Sequence, residues 1–226
     1  MEFIYRGKTK DVYLLEDGCV LLKFKDDGTV NEDGKFDPGG NTVGVNVKDM
    51  GKANLRLTDF FYKKIQAEGI PTHYVGADIE NSSMTVRRAK VFGKGLEVVC
   101  RFKAEGSFIR RYGLYAKDGQ DLPAFVEVTI KDDSRGDPPI TREGLEVLGI
   151  MTFAEYDEIV SLTKRICLIV KDEVAKKGAE LYDIKLEFGR CEGKVILIDE
   201  ISGGCMRVYK NGAAVDPLAI AEMMLS

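Results

Sequence analysis

Residues 182–202 read YDIKLEFGRCEGKVILIDEIS, two apolar strand-like runs with charged residues set inside them. The first alternates strictly, which puts Tyr182, Ile184, Leu186 and Phe188 on one face and Asp183, Lys185 and Glu187 on the other. The second, Val195 to Ile198, is apolar on both faces and stops at Asp199-Glu200. Together they predict a buried hairpin. A carboxylate ending a buried strand is costly unless a metal or a cation neutralises it. Glu187, across the hairpin from Asp199, is placed to supply a second oxygen ligand. Mg²⁺ takes one or two carboxylates together with substrate phosphates, so this pair suits a nucleotide-bound ion better than a structural one. Lys185, on the same face, can meet a phosphate or a substrate carboxylate. A buried ion-pair network would give the same pattern, and the local sequence does not choose between the two.

Working outward, the composition narrows the chemistry. The chain has 226 residues with a formal net charge of −4 and no long Lys/Arg run, which excludes a general nucleic-acid binder. No apolar stretch approaches the ~20 residues that cross a bilayer. The N-terminus, MEFIYRGKTK, lacks the basic-then-apolar order of a signal peptide, so a cytoplasmic protein with no membrane partner is expected. Cys19, Cys100, Cys167, Cys191 and Cys205 show no C-x-x-C spacing and read as reduced thiols, not as a disulfide framework or a zinc site. His73 is the single histidine. It follows Ile70-Pro71-Thr72 in what reads as a linker, and no chemical role is expected of it. Ser-His-Asp and Cys-His catalysis are thereby excluded. Lysines, arginines, carboxylates and a metal remain.

Residues 3–25 predict an antiparallel meander, and residues 26–48, rich in Gly, Asp and Asn, a long mobile loop able to act as a lid. Gly51 to Gly69 predicts an amphipathic helix with Leu55, Leu57, Phe60, Phe61 and Ile65 in its apolar stripe. Strands follow at Met84–Arg88, Leu96–Phe102 and Ala124–Lys131, with a short helix from Gly106-Ser107 to Gly113. The longest helix is expected over Thr152–Lys177, ending at Gly178, and a last one from Asp216. The order is sheet-rich first and mixed later, without regular βαβ alternation. It predicts an α+β protein of two lobes, 1–90 and 91–226.

Two further stretches invite anions. Gly7-Lys8-Thr9-Lys10 is not a Walker A loop, because Glu2 stands where that motif needs its first glycine and a strand follows instead of a helix. A glycine turn between strands can still cover nucleotide phosphates, although an ordinary hairpin with solvated lysines looks the same. In EVVCRFKAEGSFIRR, residues 97–111, Gly106-Ser107 opens a helix with free N–H groups and a hydroxyl. Arg110 shares a face with Ser107, and Arg101 ends the preceding strand. A capped surface helix with solvated arginines is the alternative.

The ordered set GKTKDVY, EVVCRFKAEGSFIRRYG, KDDSRGDPPI, YDIKLEFG and IDEIS followed by MRVY resembles the SAICAR synthetase family over Tyr5 to Tyr209. The resemblance implies an α+β fold of two lobes around an ATP cleft, related in shape to ATP-grasp and kinase-like nucleotide clefts. It implies a ligase of purine biosynthesis joining carboxyaminoimidazole ribonucleotide to L-aspartate, with ATP converted to ADP and phosphate. By resemblance, Gly7, Lys8 and Lys10 form the ATP phosphate loop, and Glu187 and Asp199 serve nucleotide and Mg²⁺. Arg101, Ser107 and Arg207 hold the ribonucleotide phosphate, while Lys131, Asp183 and Lys185 face the reacting carboxylate and aspartate. The implied partners are small molecules, with homo-oligomerisation allowed. Phe102, where the family carries Asn, and Glu105, where it carries Ala, depart from the pattern on the substrate side. A relative using another ribonucleotide or amine, or a nucleotide-binding module without turnover, are the competing expectations.

Overall fold

A computed structural model describes residues 1–30 and 42–226. The first sheet is built from β1 (Glu2–Arg6), β2 (Lys10–Leu14) and β3 (Val20–Phe24). After β4 (Asp27–Val30), β5 (Thr42–Asn46) and α1 (Met50–Ala67), it is completed by β6 (Tyr74–Asp78) and β7 (Ser83–Val86). Its order is β1-β2-β3-β7-β6, antiparallel throughout. Helix α1 buries Leu55, Leu57, Phe61 and Ile65 as its sequence spacing requires. The Asp26 carboxylate accepts the Gly51 and Asp49 N–H groups at its start, where backbone donors would otherwise be orphaned.

The expected loop over 26–48 is corrected by β4 and β5, which pair antiparallel from Asp27↔Asn46 to Val30↔Thr42. The Asn46 amide donates to Asp27 Oδ1 at 2.9 Å, so the same polar residues that read as loop supply a cross-strand bond. The central part of that expected loop, 31–41, lies outside the described residues. The expected linker at His73 is corrected too. Leu197 N–H donates to Pro71 O and His73 N–H to Leu197 O, which binds this segment as a short parallel bridge to the second lobe.

The second sheet has seven strands: β8 (Lys90–Val91), β9 (Leu96–Lys103), β10 (Asp121–Ile130), β11 (Glu180–Cys191), β12 (Lys194–Ile198), β13 (Met206–Lys210) and β14 (Ala213–Ala214). Strand β11 is its spine. Its first half pairs with β9 and β13, and from Glu187 onward it pairs with β12 and β8. The intervening helices are α2 (Ser107–Tyr112), α3 (Arg142–Val147) and α4 (Phe153–Lys176). Helix α4 starts on a capping box, in which Thr152 and Glu155 satisfy each other's backbone N–H groups. It lays Ile159, Ile166, Val170 and Val174 into the core that also holds Ile184, Leu186 and Val98. Each such fully buried aliphatic contributes ~1.5–3 kcal/mol relative to exposure. A final helix, α5 (Pro217–Leu225), packs back on α1. Among the described residues no helix is long and apolar enough to cross a membrane.

Since Ile184 and Leu186 face α4, the period of two leaves Asp183, Lys185 and Glu187 on the opposite face. That polar face is where the site is built.

Candidate functional site

At one end of β11, Asp183 stands opposite Arg101 on β9 and Arg207 on β13. Both guanidiniums donate to the same oxygen, Asp183 Oδ2, Arg101 at 2.7 Å and Arg207 at 2.6 Å. Arg101 is 2% exposed and also donates to Ser107 Oγ at 2.8 Å and to Glu127 Oε1 at 2.9 Å. Arg111 closes the network on Glu127 Oε2 at 2.5 Å. Gly106 sits at φ +57°, and a Cβ there would come within 2.9 Å of Arg207 Nη2. Only glycine lets the guanidinium lie across the start of α2. Arg101, Ser107 and Arg207 therefore meet, as the sequence suggested, but Arg110 points to solvent and Arg111 takes the place expected of it. Asp183 is engaged by the arginines and lies apart from Lys131.

At the other end, Glu187 accepts from Lys131 Nζ at 2.7 Å, and Asp199 accepts from Lys10 Nζ at 3.0 Å. Lys10 is buried on β2 and also donates to Glu200 Oε1. Burial alone would lower its pKa, but Asp199 and Glu200 outweigh that and raise it, so Lys10 stays charged. Burial and the neighbouring Asp199 raise the Glu187 carboxyl. Burial acts on Asp199 in the same sense, yet Lys10 and Lys131 prevail and hold it below the ordinary carboxylate range. Between the two ends, Lys185 Nζ donates to Glu97 Oε1 at 2.8 Å. Burial again works against its charge, and Glu97 overcomes it to raise the pKa.

The glycine turn divides its residues. Gly7 N–H donates to Lys10 O at 2.8 Å, and Gly7 O accepts from Lys25 Nζ. Lys8 reaches Asp133 at 2.5 Å, linking the turn to the 132–137 loop of the second lobe. Lys10 belongs to the carboxylate cluster. Two charged clusters thus stand on one face of β11, an arginine-rich one around Asp183 and a lysine–carboxylate one around Glu187 and Asp199, with Lys185 between them.

A family model described as SAICAR synthetase matches residues 3–217. The chain belongs to the SAICAR synthetase family. A phosphoribosylaminoimidazole-succinocarboxamide synthase of Clostridium tetani is 57% identical over the whole of both chains. A SAICAR synthetase solved in complex with ADP is 32% identical, covers 94% of this chain and 87% of that one, and superposes with a TM-score of 0.83. A SAICAR synthetase of Pyrococcus horikoshii, 30% identical over 92% of this chain and 87% of its own, gives a TM-score of 0.80.

Within this candidate site, the sequence reading gave no role to Glu97, Glu127, Arg111 and Glu200. The first two carried a readable signal. Glu97 and Arg101 on β9, like Glu127 and Thr129 on β10, recur at even spacing on the face opposite the core residues Val98, Cys100 and Val128. His73, set aside as a linker residue, is buried, and its Nε2 lies 3.2 Å from Asp199 O. No local pattern announces that contact. Among the described residues no group of three or more His, Cys, Asp and Glu side chains is arranged around a metal position.

Proposed function

We propose that this chain, an ATP-dependent ligase of purine biosynthesis, joins carboxyaminoimidazole ribonucleotide to L-aspartate, yielding SAICAR, ADP and phosphate. The observation that carries the proposal is the placing of both charged clusters on one face of β11, with Lys185 between them. A carboxylate does not react usefully with an amine. It is activated when one of its oxygens bonds to the γ-phosphorus of ATP as ADP leaves. The aspartate amine then forms the C–N bond, the carbon–oxygen bond to phosphate breaks, and the amine gives up a proton.

The chain's residues fall to these tasks. Arg101, Ser107 and Arg207 bind the sugar phosphate, for which the arginine fork is suited. Asp183 holds both arginines in place. Lys10, with Gly7 and Lys8 at the turn, faces the ATP phosphates, and Lys131 and Lys185 orient the reacting carboxylate and the incoming aspartate. Glu187 and Asp199 would hold a magnesium ion, because a divalent cation would offset the burial and the neighbouring Asp199 charge that together raise Glu187. When bound, that ion neutralises charge on the transferring phosphoryl group.

The test is ADP release from the carboxylated ribonucleotide and ATP, with L-aspartate compared against other amino acids and amines. Aspartate-dependent release is expected. None from folded protein, or equal release with another amine, overturns the substrate assignment. Asp199→Asn is expected to abolish turnover while the fold survives, since Lys10 keeps Glu200 as its counter-ion. An Asp199→Asn variant with full activity and an unchanged magnesium requirement would reduce Asp199 to a structural role.

A further inference from the structure

Asp199 adopts φ +65°, in the left-handed region that residues with a Cβ seldom enter. It is the first residue past β12, and such strained backbone persists only where its surroundings over-determine it. The surroundings here are two side chains that converge on its carbonyl oxygen. Tyr62 Oη, from α1, donates to Asp199 O at 3.0 Å, and His73 Nε2 lies 3.2 Å from the same atom. A carbonyl can only accept, so His73 carries its proton on Nε2. Tyr62 is fully buried, His73 is 4% exposed, and their rings lie 5.7 Å apart. His73 grips β12 twice, because its own N–H also bonds Leu197 O at 2.9 Å. Neither side chain belongs to the charged face of the sheet. Both reach the peptide group of Asp199 and leave its carboxylate to Lys10.

We propose that Tyr62 and His73 are positioning residues that fix the Asp199 peptide in its left-handed turn and so aim the carboxylate at the nucleotide side of the cleft. The proposal rests on the assignment of Asp199 to nucleotide and magnesium made above. Through them the first lobe sets the geometry of a carboxylate carried by the second. Apolar side chains in their places would leave the Asp199 carbonyl without these two donors.

Tyr62→Phe removes one oxygen and keeps the ring. It is expected to lower kcat about fivefold or more and to raise the magnesium concentration giving half-maximal rate, the loss corresponding to one hydrogen bond. The ribonucleotide KM should stay unchanged, because Arg101 and Arg207 stand at the far end of β11. A readout without turnover is the rise in Tm produced by ADP with magnesium: it should shrink in the variant, while the rise produced by ADP alone does not. His73→Gln, which keeps a donor, should retain more of both signals than His73→Leu. Unchanged kcat, magnesium requirement and ligand-induced Tm rise in Tyr62→Phe, whatever its own stability, would overturn the proposal. So would a change confined to the ribonucleotide KM. Asp199→Asn run alongside separates the two failures. If it is inactive while Tyr62→Phe behaves as wild type, the positioning role falls and the metal assignment stands. If it is fully active, the metal assignment itself falls.

Discussion

Replacing Asp183 with Asn preserves volume and removes the one charge that both Arg101 and Arg207 share, at 2.7 and 2.6 Å. The Asp183 side chain is 4% exposed, so water offers little compensation. Removing one partner of a buried ion pair costs ~3–5 kcal/mol. Arg101 keeps Glu127, which argues for the lower end of that range, about 3 kcal/mol. In a chain of this length each kcal/mol moves Tm by ~2–4 °C, so Tm should fall by about 6–12 °C. The loss should be recoverable by an external anion, because the arginines have lost an internal one. A ligand at a hundred times its Kd adds about 2.7 kcal/mol to stability, and for inorganic phosphate or the ribonucleotide the gain should be larger in Asp183→Asn than in the unmodified chain. Differential scanning calorimetry with and without phosphate reads both quantities. A Tm within about 2 °C of the original, or an anion response no greater than the original, would refute the reasoning.

Two more outcomes follow from the same geometry. Arg207→Ala should raise the ribonucleotide KM by about ten- to a hundredfold with the ATP KM little changed, and weaker ATP with an unchanged ribonucleotide KM would show the two phosphate sites to be assigned the wrong way round. Glu155 accepts both Arg190 Nε and Nη2, and this bonding lowers its pKa to about 2 against the opposing effect of burial. A carboxyl depressed in the folded state stabilises fully above its unfolded pKa of about 4.3 and loses that contribution as pH falls through 2. The stability difference between the original chain and Arg190→Met, from urea titrations, should therefore be constant above about pH 5 and close towards zero near pH 2. A difference independent of pH would place the effect of Arg190 in its contact with the Phe92 ring.

What was legible in the sequence was what a short period can encode. The alternation in 182–188 announced which residues of β11 share a face, and Thr152 with Glu155 announced where α4 begins. Glycines at 113 and 178 marked two helix ends. Partnership across the sheet was not legible. Arg101 and Asp183 are 82 residues apart, and Lys10 and Glu200 are 190 apart, so no window along the chain contains both members. Hence Lys10, read as part of a phosphate turn, is found inside the carboxylate cluster. Strands β4 and β5 were hidden for a different reason. Asp27, Gly28 and Asn46 carry loop propensity, and only pairing overrides it.

Asp183 and Glu187 are four residues apart on one continuous strand, a span of about 13 Å. The distance between the two clusters is thus graduated along a covalent backbone. Any tilt of the first lobe carries Lys10 and Lys8 with it but leaves this spacing untouched. Strand β11 works as a ruler between the two clusters, and its divisions are discrete. One inserted residue would not lengthen the measure by a single step, because it would exchange the faces of every later residue, turning Glu187 towards the core and Phe188 away from it. The next usable length is two residues longer, or ~6.6 Å, too coarse a step for adjusting to a ligand longer by one or two bonds. On this scaffold the separation of the two charged clusters is held by the strand, and finer adjustment must come from the side chains at its marks.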